Sequence, residues 1–212
     1  MREKCGRRAP QGEQGYSLIE LLIVMIIFAG LLGIIFSVLN TVQLQTRDSL
    51  GRNAQTQQAK LGLSQIDRQV RSGNVLTVPG DAAAVAGELS NSLRVYTQTD
   101  GVRRCVQWQV YDRTLRYRSW DPDWSLPGGG SIESWRVVAR ELVDDALITS
   151  GEAPDPFTRD ASVGSQDQSV TVRLWLQAEE AGGRPIEVST VLFGRNTVYG
   201  YPSDICAPVP PA

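Results

Sequence analysis

Glu20 is a lone carboxylate just inside an apolar run, and ion pairing is the chemistry open to it. From Leu21 through Thr46 there is no charged residue, and the first part is almost wholly Leu, Ile, Val, Met and Phe. A membrane span needs roughly 20 apolar residues, so the run is long enough to cross a bilayer. A charge there costs on the order of 2.5–3.5 kcal/mol at mid-membrane and less near the interface, so Glu20 requires a partner. A second set of chemistry-bearing residues lies at 94–120. There Arg94, Arg103, Arg104, Arg113, Arg116 and Arg118 interleave with Tyr96, Trp108, Tyr111, Tyr117 and Trp120. Guanidinium groups among aromatic rings could hold single-stranded nucleic acid or an anionic glycopolymer, with Arg103, Arg104, Arg116 and Arg118 as contacts. The alternative is the polar face of two strands, and Arg116 and Arg118 do alternate with Leu115 and Tyr117 as it requires. Asp121-Pro122-Asp123 and Asp144-Asp145 offer oxygens to calcium, but neither has the spacing of a calcium loop, which favours solvated turns.

Much chemistry is missing. The 212 residues contain no histidine, which removes the usual general base and the commonest metal ligand. No nucleophile motif stands in for it, so no catalytic set, metal or cofactor is expected. Residues 1–15 hold four basic residues (Arg2, Lys4, Arg7, Arg8) and two acidic ones (Glu3, Glu13), leaving 17 basic and 21 acidic residues for the remainder. That mild acidity gives no bulk electrostatic reason to bind nucleic acid. The basic segment ahead of the apolar run should stay in the cytoplasm and send the C-terminal part outward. Disulfides persist in such a compartment. Of the three cysteines, Cys5 precedes the run, so Cys105 and Cys206 are the pair that could bridge; two free thiols remain the alternative.

These residues need elements to position them. No proline interrupts Tyr16 to Arg71. Ala59, Leu63, Ile66 and Val70 recur at i, i+4, i+7 and i+11, one face of a helix. The pattern predicts one nearly continuous helix, with Gly30, Gly33, Gly51 and Gly62 as bends and Ser72-Gly73-Asn74 as its end, the glycine in a left-handed conformation. Beyond it, Leu93–Thr97, Val102–Tyr111, Leu115–Trp120, Val170–Leu176 and Ile186–Phe193 read as strands. Segments 121–131 and 151–168 read as loops. Residues 132–148 fit either element, and a short helix or helical turn running into a strand is expected. The fold class is α+β: a long N-terminal helix, its first half spanning a membrane, packed on an antiparallel sheet.

Gly15-Tyr16-Ser17-Leu18-Ile19-Glu20-Leu21-Leu22-Ile23-Val24 resembles the prepilin cleavage motif of type IV pilins and pseudopilins. The order of parts agrees, since the candidate cleavage site precedes the apolar stretch, whereas an ordinary signal peptide is cut after it. The resemblance implies cleavage by prepilin peptidase between Gly15 and Tyr16, N-methylation of Tyr16, and Glu20 as fifth residue of the mature chain. The new α-amine at Tyr16 is largely cationic at neutral pH, one helical turn from Glu20. The resemblance implies that Glu20 meets the amine of a neighbouring subunit and recruits this chain to a filament. It also implies a pilin-like fold and partners among other pilin or pseudopilin subunits and the inner-membrane assembly platform. Tyr16 stands where Phe is usual, no proline lies in the apolar helix (Ser37 falls near its place), and the leader is long. With Gly30 and Gly33, these features suit a minor subunit. Leu63–Arg71, and Phe193-Gly194-Arg195-Asn196 after the last strand, look like minor pilins of the PilW and J-type pseudopilin sort.

The expected organisation is therefore a leader at 1–15, a transmembrane assembly helix at 16–39, an amphipathic continuation at 40–72 and an extracytoplasmic β-rich domain at 73–212. The expected function is that of a minor, non-enzymatic subunit of a type IV pilus or type II secretion-like filament, acting at initiation or at the tip. The alternative is a singly anchored extracytoplasmic binding protein that does not polymerise.

Overall fold

A computed structural model describes residues 17–81, 91–159, 169–177, 185–194 and 200–211. The chain divides into two compact units, Met1–Asp48 and Ser49–Ala212. Helix α1 runs from Leu18 to Ser72, 55 residues without a break in its assignment. Gly30, Gly33, Gly51 and Gly62 are all helical within it. α1 is the one described helix long and apolar enough to cross a membrane, and it lies near the N-terminus.

In the second unit, Ala59, Leu63, Ile66 and Val70 are buried, as their spacing requires. Gly62 lies beside them for a packing reason. A Cβ there would come 2.7 Å from Leu115 Cδ2 and 3.6 Å from Val138 Cγ1, so its absence lets the sheet side chains close on the helix.

α1 passes directly into a strand, β1 (Gly73–Thr77). Gly73 is thus a strand residue and not a left-handed helix terminus. Its requirement for glycine is spatial, since a Cβ would lie 2.8 Å from Val95 Cγ1. Four more strands follow: β2 (Ser92–Thr97), β3 (Arg104–Tyr111), β4 (Thr114–Trp120) and β5 (Arg136–Ala139). They form a five-stranded antiparallel sheet in the order β1-β2-β3-β4-β5. The β3–β4 hairpin turns through Asp112 and Arg113, with φ of 46° and 56°. Positive φ at both positions gives the twist that a two-residue hairpin needs. Asp145 Oδ1 holds the turn by accepting from Asp112 N–H at 2.8 Å.

Segment 132–148 reverses the expected order of helix and strand. Ile132 bridges Trp120, β5 follows, Leu142 bridges Leu176, and only then does a short helix, α2 (Asp145–Thr149), begin. Asp144 caps α2 by accepting from Ala146 N–H at 2.9 Å. Pairing with β4 and β7 decides the backbone here, outweighing the local helical spacing.

The remaining strands form a second sheet, whereas the sequence suggested a single sheet. β6 (Phe157–Thr158), β7 (Ser169–Leu176) and β8 (Ile186–Phe193) lie in the order β6-β7-β8, all antiparallel. Phe157, Val170, Val172, Leu174, Leu176 and Leu192 join the cluster formed by the helix residues and by Leu93, Val95, Trp108 and Leu115. One core therefore serves helix and both sheets. Arg159 ties them at the rim, donating to both Asp81 carboxylate oxygens at 2.8–3.0 Å and to the Leu76 carbonyl.

Ile66 is fully buried at the centre of the helix–sheet contact. Ile66→Ala should lower unfolding stability by about 2–5 kcal/mol, whereas Ser64→Ala on the exposed face should stay within about 0.5 kcal/mol. Chemical denaturation of the full chain in detergent, followed by near-UV circular dichroism, checks both.

Candidate functional site

Glu20 lies in the first turn of α1. The Leu21 N–H donates to the Ser17 carbonyl at 3.2 Å, which places Ser17 at the start of the helical bonding. Free N–H groups at a helix start favour a carboxylate. Ser17 and Glu20 also stand at the spacing of a capping box, a local signal lying within the prepilin-like motif. Among the described residues Glu20 has no hydrogen-bond or ion-pair partner. Gly15 and Tyr16 lie outside the described residues.

The surface that follows Glu20 is apolar and uncovered. Every Leu, Ile, Val, Met and Phe from Leu18 to Leu44 is exposed, with Phe28 at 61% and Phe36 at 69%. Soluble monomers rarely expose apolar patches beyond a few hundred Å². A Cβ added at Gly30 or Gly33 would meet nothing within 4 Å. Packing within the described chain therefore does not require glycine at either position.

The arginines of 94–120 do not form one surface. Side chains alternate across a strand and paired residues share a face. Arg104, Val106 and Trp108 therefore lie on the face that meets α1, while Cys105, Gln107 and Gln109 lie on the other. Arg118 pairs with Gln107 and Arg116 with Gln109, which puts both arginines on that second face. Arg104 is held by Glu133 at 3.1 Å and Arg103 by Asp123 at 2.6 Å. Arg116 donates to Gln109 Oε1 at 2.8 Å, with its guanidinium 4.0 Å from the Tyr111 ring centroid and 4.2 Å from that of Trp135. Arg118 is buried. It donates to Gln107 Oε1 at 2.9 Å and to the carbonyls of Pro210 and Pro211, each at 2.6 Å.

Burial lowers the Arg116 guanidinium from its ordinary value, against the raising influence of Tyr111, Asp145 and Asp112. Burial also brings Arg118 down to about 10, with the positive charge of Arg116 adding to the drop. Both stay cationic at neutral pH. Their partners are amide oxygens, carbonyls and ring faces, so Arg118 is already occupied by its own chain.

The cover over Arg118 is the C-terminal segment. Cys206 is joined to Cys105 by a disulfide with a Cα–Cα distance of 5.7 Å, and both are buried with Tyr96 and Trp120. Trp124 Nε1–H donates to the Pro208 carbonyl at 2.8 Å, and Tyr201 O–H donates to Gln98 Oε1 at 2.9 Å. Glu133, which pairs with Arg104, and Trp135, whose ring faces Arg116, lie in segment 132–148 and carry no local signal of these contacts; Arg94, within the arginine run, is almost wholly buried.

The aspartates serve as local braces. Asp121 Oδ2 accepts from Ser131 N–H at 2.8 Å, Asp123 pairs with Arg103, Asp144 caps α2 and Asp145 supports the Asp112 turn. No group of three or more metal-ligating side chains occurs among the described residues. Arg195 and Asn196 lie outside the described residues. No protein-family model matches the chain, and no curated protein matches it.

The Cys105–Cys206 bridge closes a separation of 101 residues. Replacing both cysteines by serine should cost about 2–5 kcal/mol of unfolding stability. Limited proteolysis should then cut the segment after Tyr201 faster than in the bridged chain.

Proposed function

We propose that this chain is a minor pilin or pseudopilin: a non-enzymatic subunit that prepilin peptidase releases from its leader and that then enters a type IV or type II secretion-like filament. The observation that carries the reading is the exposed apolar surface of α1 with its one carboxylate in the first turn. The α+β fold, with α1 packed on an antiparallel sheet, is compatible with a pilin-like architecture.

Two stages with different surroundings give this surface its use. In the bilayer, lipid covers the apolar side chains, the basic leader stays in the cytoplasm and residues 73–212 lie outside. Cutting after Gly15 creates an α-amine at Tyr16, and Glu20 then has a cation to meet. In a filament, neighbouring helices cover the same side chains, and Glu20 takes the amine of the adjacent subunit. A carboxylate left without a partner in an apolar surrounding is costly, so the pair favours the correct longitudinal position of the incoming subunit. Tyr16, Gly30, Gly33 and the absence of a proline from the apolar helix suit a minor subunit, and its proposed place is at initiation or at the tip.

Coexpression with a prepilin peptidase should shorten the wild-type chain by its leader, and Gly15→Ala should block the shortening. Glu20→Gln should still be cut but should fall at least about tenfold in filament incorporation, matching loss of a charge-assisted contact. An unshortened wild-type chain refutes the proposal. A shortened wild-type chain that never co-purifies with filaments supports the non-polymerising surface protein.

A further inference from the structure

A groove of about 450 Å³ opens on the α1-facing side of the five-stranded sheet, next to Gln69 near the C-terminal end of α1. It belongs wholly to the second unit, and its interpretation does not depend on filament assembly. Its volume lies in the range of small-molecule sites.

Charge comes first. Arg104 and Arg136 reach the groove with Glu133 between them. Arg104 Nη1 lies 3.1 Å from Glu133 Oε1, a hydrogen-bonded pair, whereas Arg136 Nη2 lies 3.6 Å from Glu133 Oε2, too far for one. One carboxylate therefore serves two guanidiniums. The Arg136 side chain makes no hydrogen bond among the described residues and is 61% exposed. The triad keeps a net positive charge and a planar fork not hydrogen-bonded to Glu133, the shape that takes a carboxylate through two parallel bonds.

The uncharged lining adds both donors and acceptors. Gln69 Oε1 is used by Trp108 Nε1–H at 2.5 Å, so the amide nitrogen of Gln69 is the donor left over. The Thr97 hydroxyl lies 3.2–3.3 Å from the Ser72 oxygens and 2.9 Å from Thr99 Oγ1, and whichever threonine donates to the other, Thr99 Oγ1 keeps an acceptor lone pair. The hydroxyl of buried Ser119 has no hydrogen bond among the described residues and can serve either way. Tyr117 adds a ring: one face stacks on Trp108 at 4.8 Å between centroids, and no ring or cation covers the other among the described residues.

A bare anion would use the fork and leave the acceptor and the ring idle. A neutral sugar would leave the fork idle. From this combination we infer that the groove binds a carboxylated saccharide: its carboxylate on Arg136 and Arg104, its hydroxyls on Ser119, Thr99 and Gln69, and one ring face against Tyr117.

The test is a titration of the isotope-labelled full chain in detergent micelles with digalacturonate, followed by NMR. Amides of Thr99, Ser119 and Arg136 should shift together with saturation. Arg136→Gln should weaken binding about tenfold, the size expected for one charge-assisted contact. Arg140→Gln, exposed and outside the groove, should leave binding unchanged. Three comparison probes separate the alternatives: the dimethyl ester of digalacturonate, acetate, and a triglutamate peptide. Each should bind at least about tenfold more weakly than digalacturonate. Absence of saturable shifts overturns the inference. Equal binding of the ester removes the carboxylate, equal binding of acetate removes the saccharide, and tighter binding of triglutamate reassigns the groove to an acidic protein segment; each of these also overturns it.

Discussion

The hydrophobic effect acts on the two stretches of α1 in different ways, and the rest of the structure depends on that difference. From Leu18 to Leu44 the large apolar side chains surround the helix on all sides and are exposed. A helix apolar all round belongs in a bilayer or among other helices, because its own chain cannot offer enough surface to cover it. Within the second unit the buried apolar residues of α1 narrow to Ala59, Leu63, Ile66 and Val70, a stripe that shares one core with both sheets. The residues around that stripe are polar enough to face water. A span long and apolar enough to cross a bilayer and a stripe that packs into a core are thereby written into successive turns of one helix.

Covering that stripe fixes the sheet. Gly62 admits Leu115 and Val138, Gly73 admits Val95, and Trp108 closes over the helix with its indole N–H satisfied by Gln69. The opposite face of the sheet carries arginines, glutamines and tryptophans, which water could have covered. Around Cys105, Trp120 and Arg118 it is instead covered by the segment that Cys206 anchors to Cys105. Backbone carbonyls suit that purpose. Proline carbonyls have no N–H of their own residue to pair with in a ladder, and here they accept from Arg118 and Trp124.

Several parts of this arrangement were legible in the residues, and for reasons that can be named. The α1 stripe declared itself by spacing. β7 did so by alternation of apolar and polar residues, and β8 has the bounds expected of its hairpin partner. Short elements were not legible. β6 consists of Phe157 and Thr158 alone, and β1 begins with no intervening turn after the helix. Both exist because a distant strand supplies hydrogen bonds, and a local window does not contain that strand. Segment 132–148 failed for the same reason, its helical spacing overruled by β4 and β7. The face of Arg116 and Arg118 followed from alternation, but the cover on it did not. Nothing near residue 118 announces that Pro210 and Pro211 will reach it. The groove beside Gln69 was also invisible in the sequence, since Thr99, Ser119 and Arg136 come together only through strand register. Glu20 was the most legible residue, because a charge entering an apolar run is costly wherever the run folds.

The central claim is that Glu20 is neutralised by an amine that only processing creates, and that the amine belongs to a neighbouring subunit. Zero-length carbodiimide cross-linking of purified filaments, followed by proteolysis and mass spectrometry, measures that contact most directly. The predicted result is an amide bond between the Glu20 carboxylate of one subunit and the N-terminal amine of the next, at Tyr16 when two copies of this chain adjoin. Glu20 linked to a lipid amine, or to no amine at all, contradicts the account.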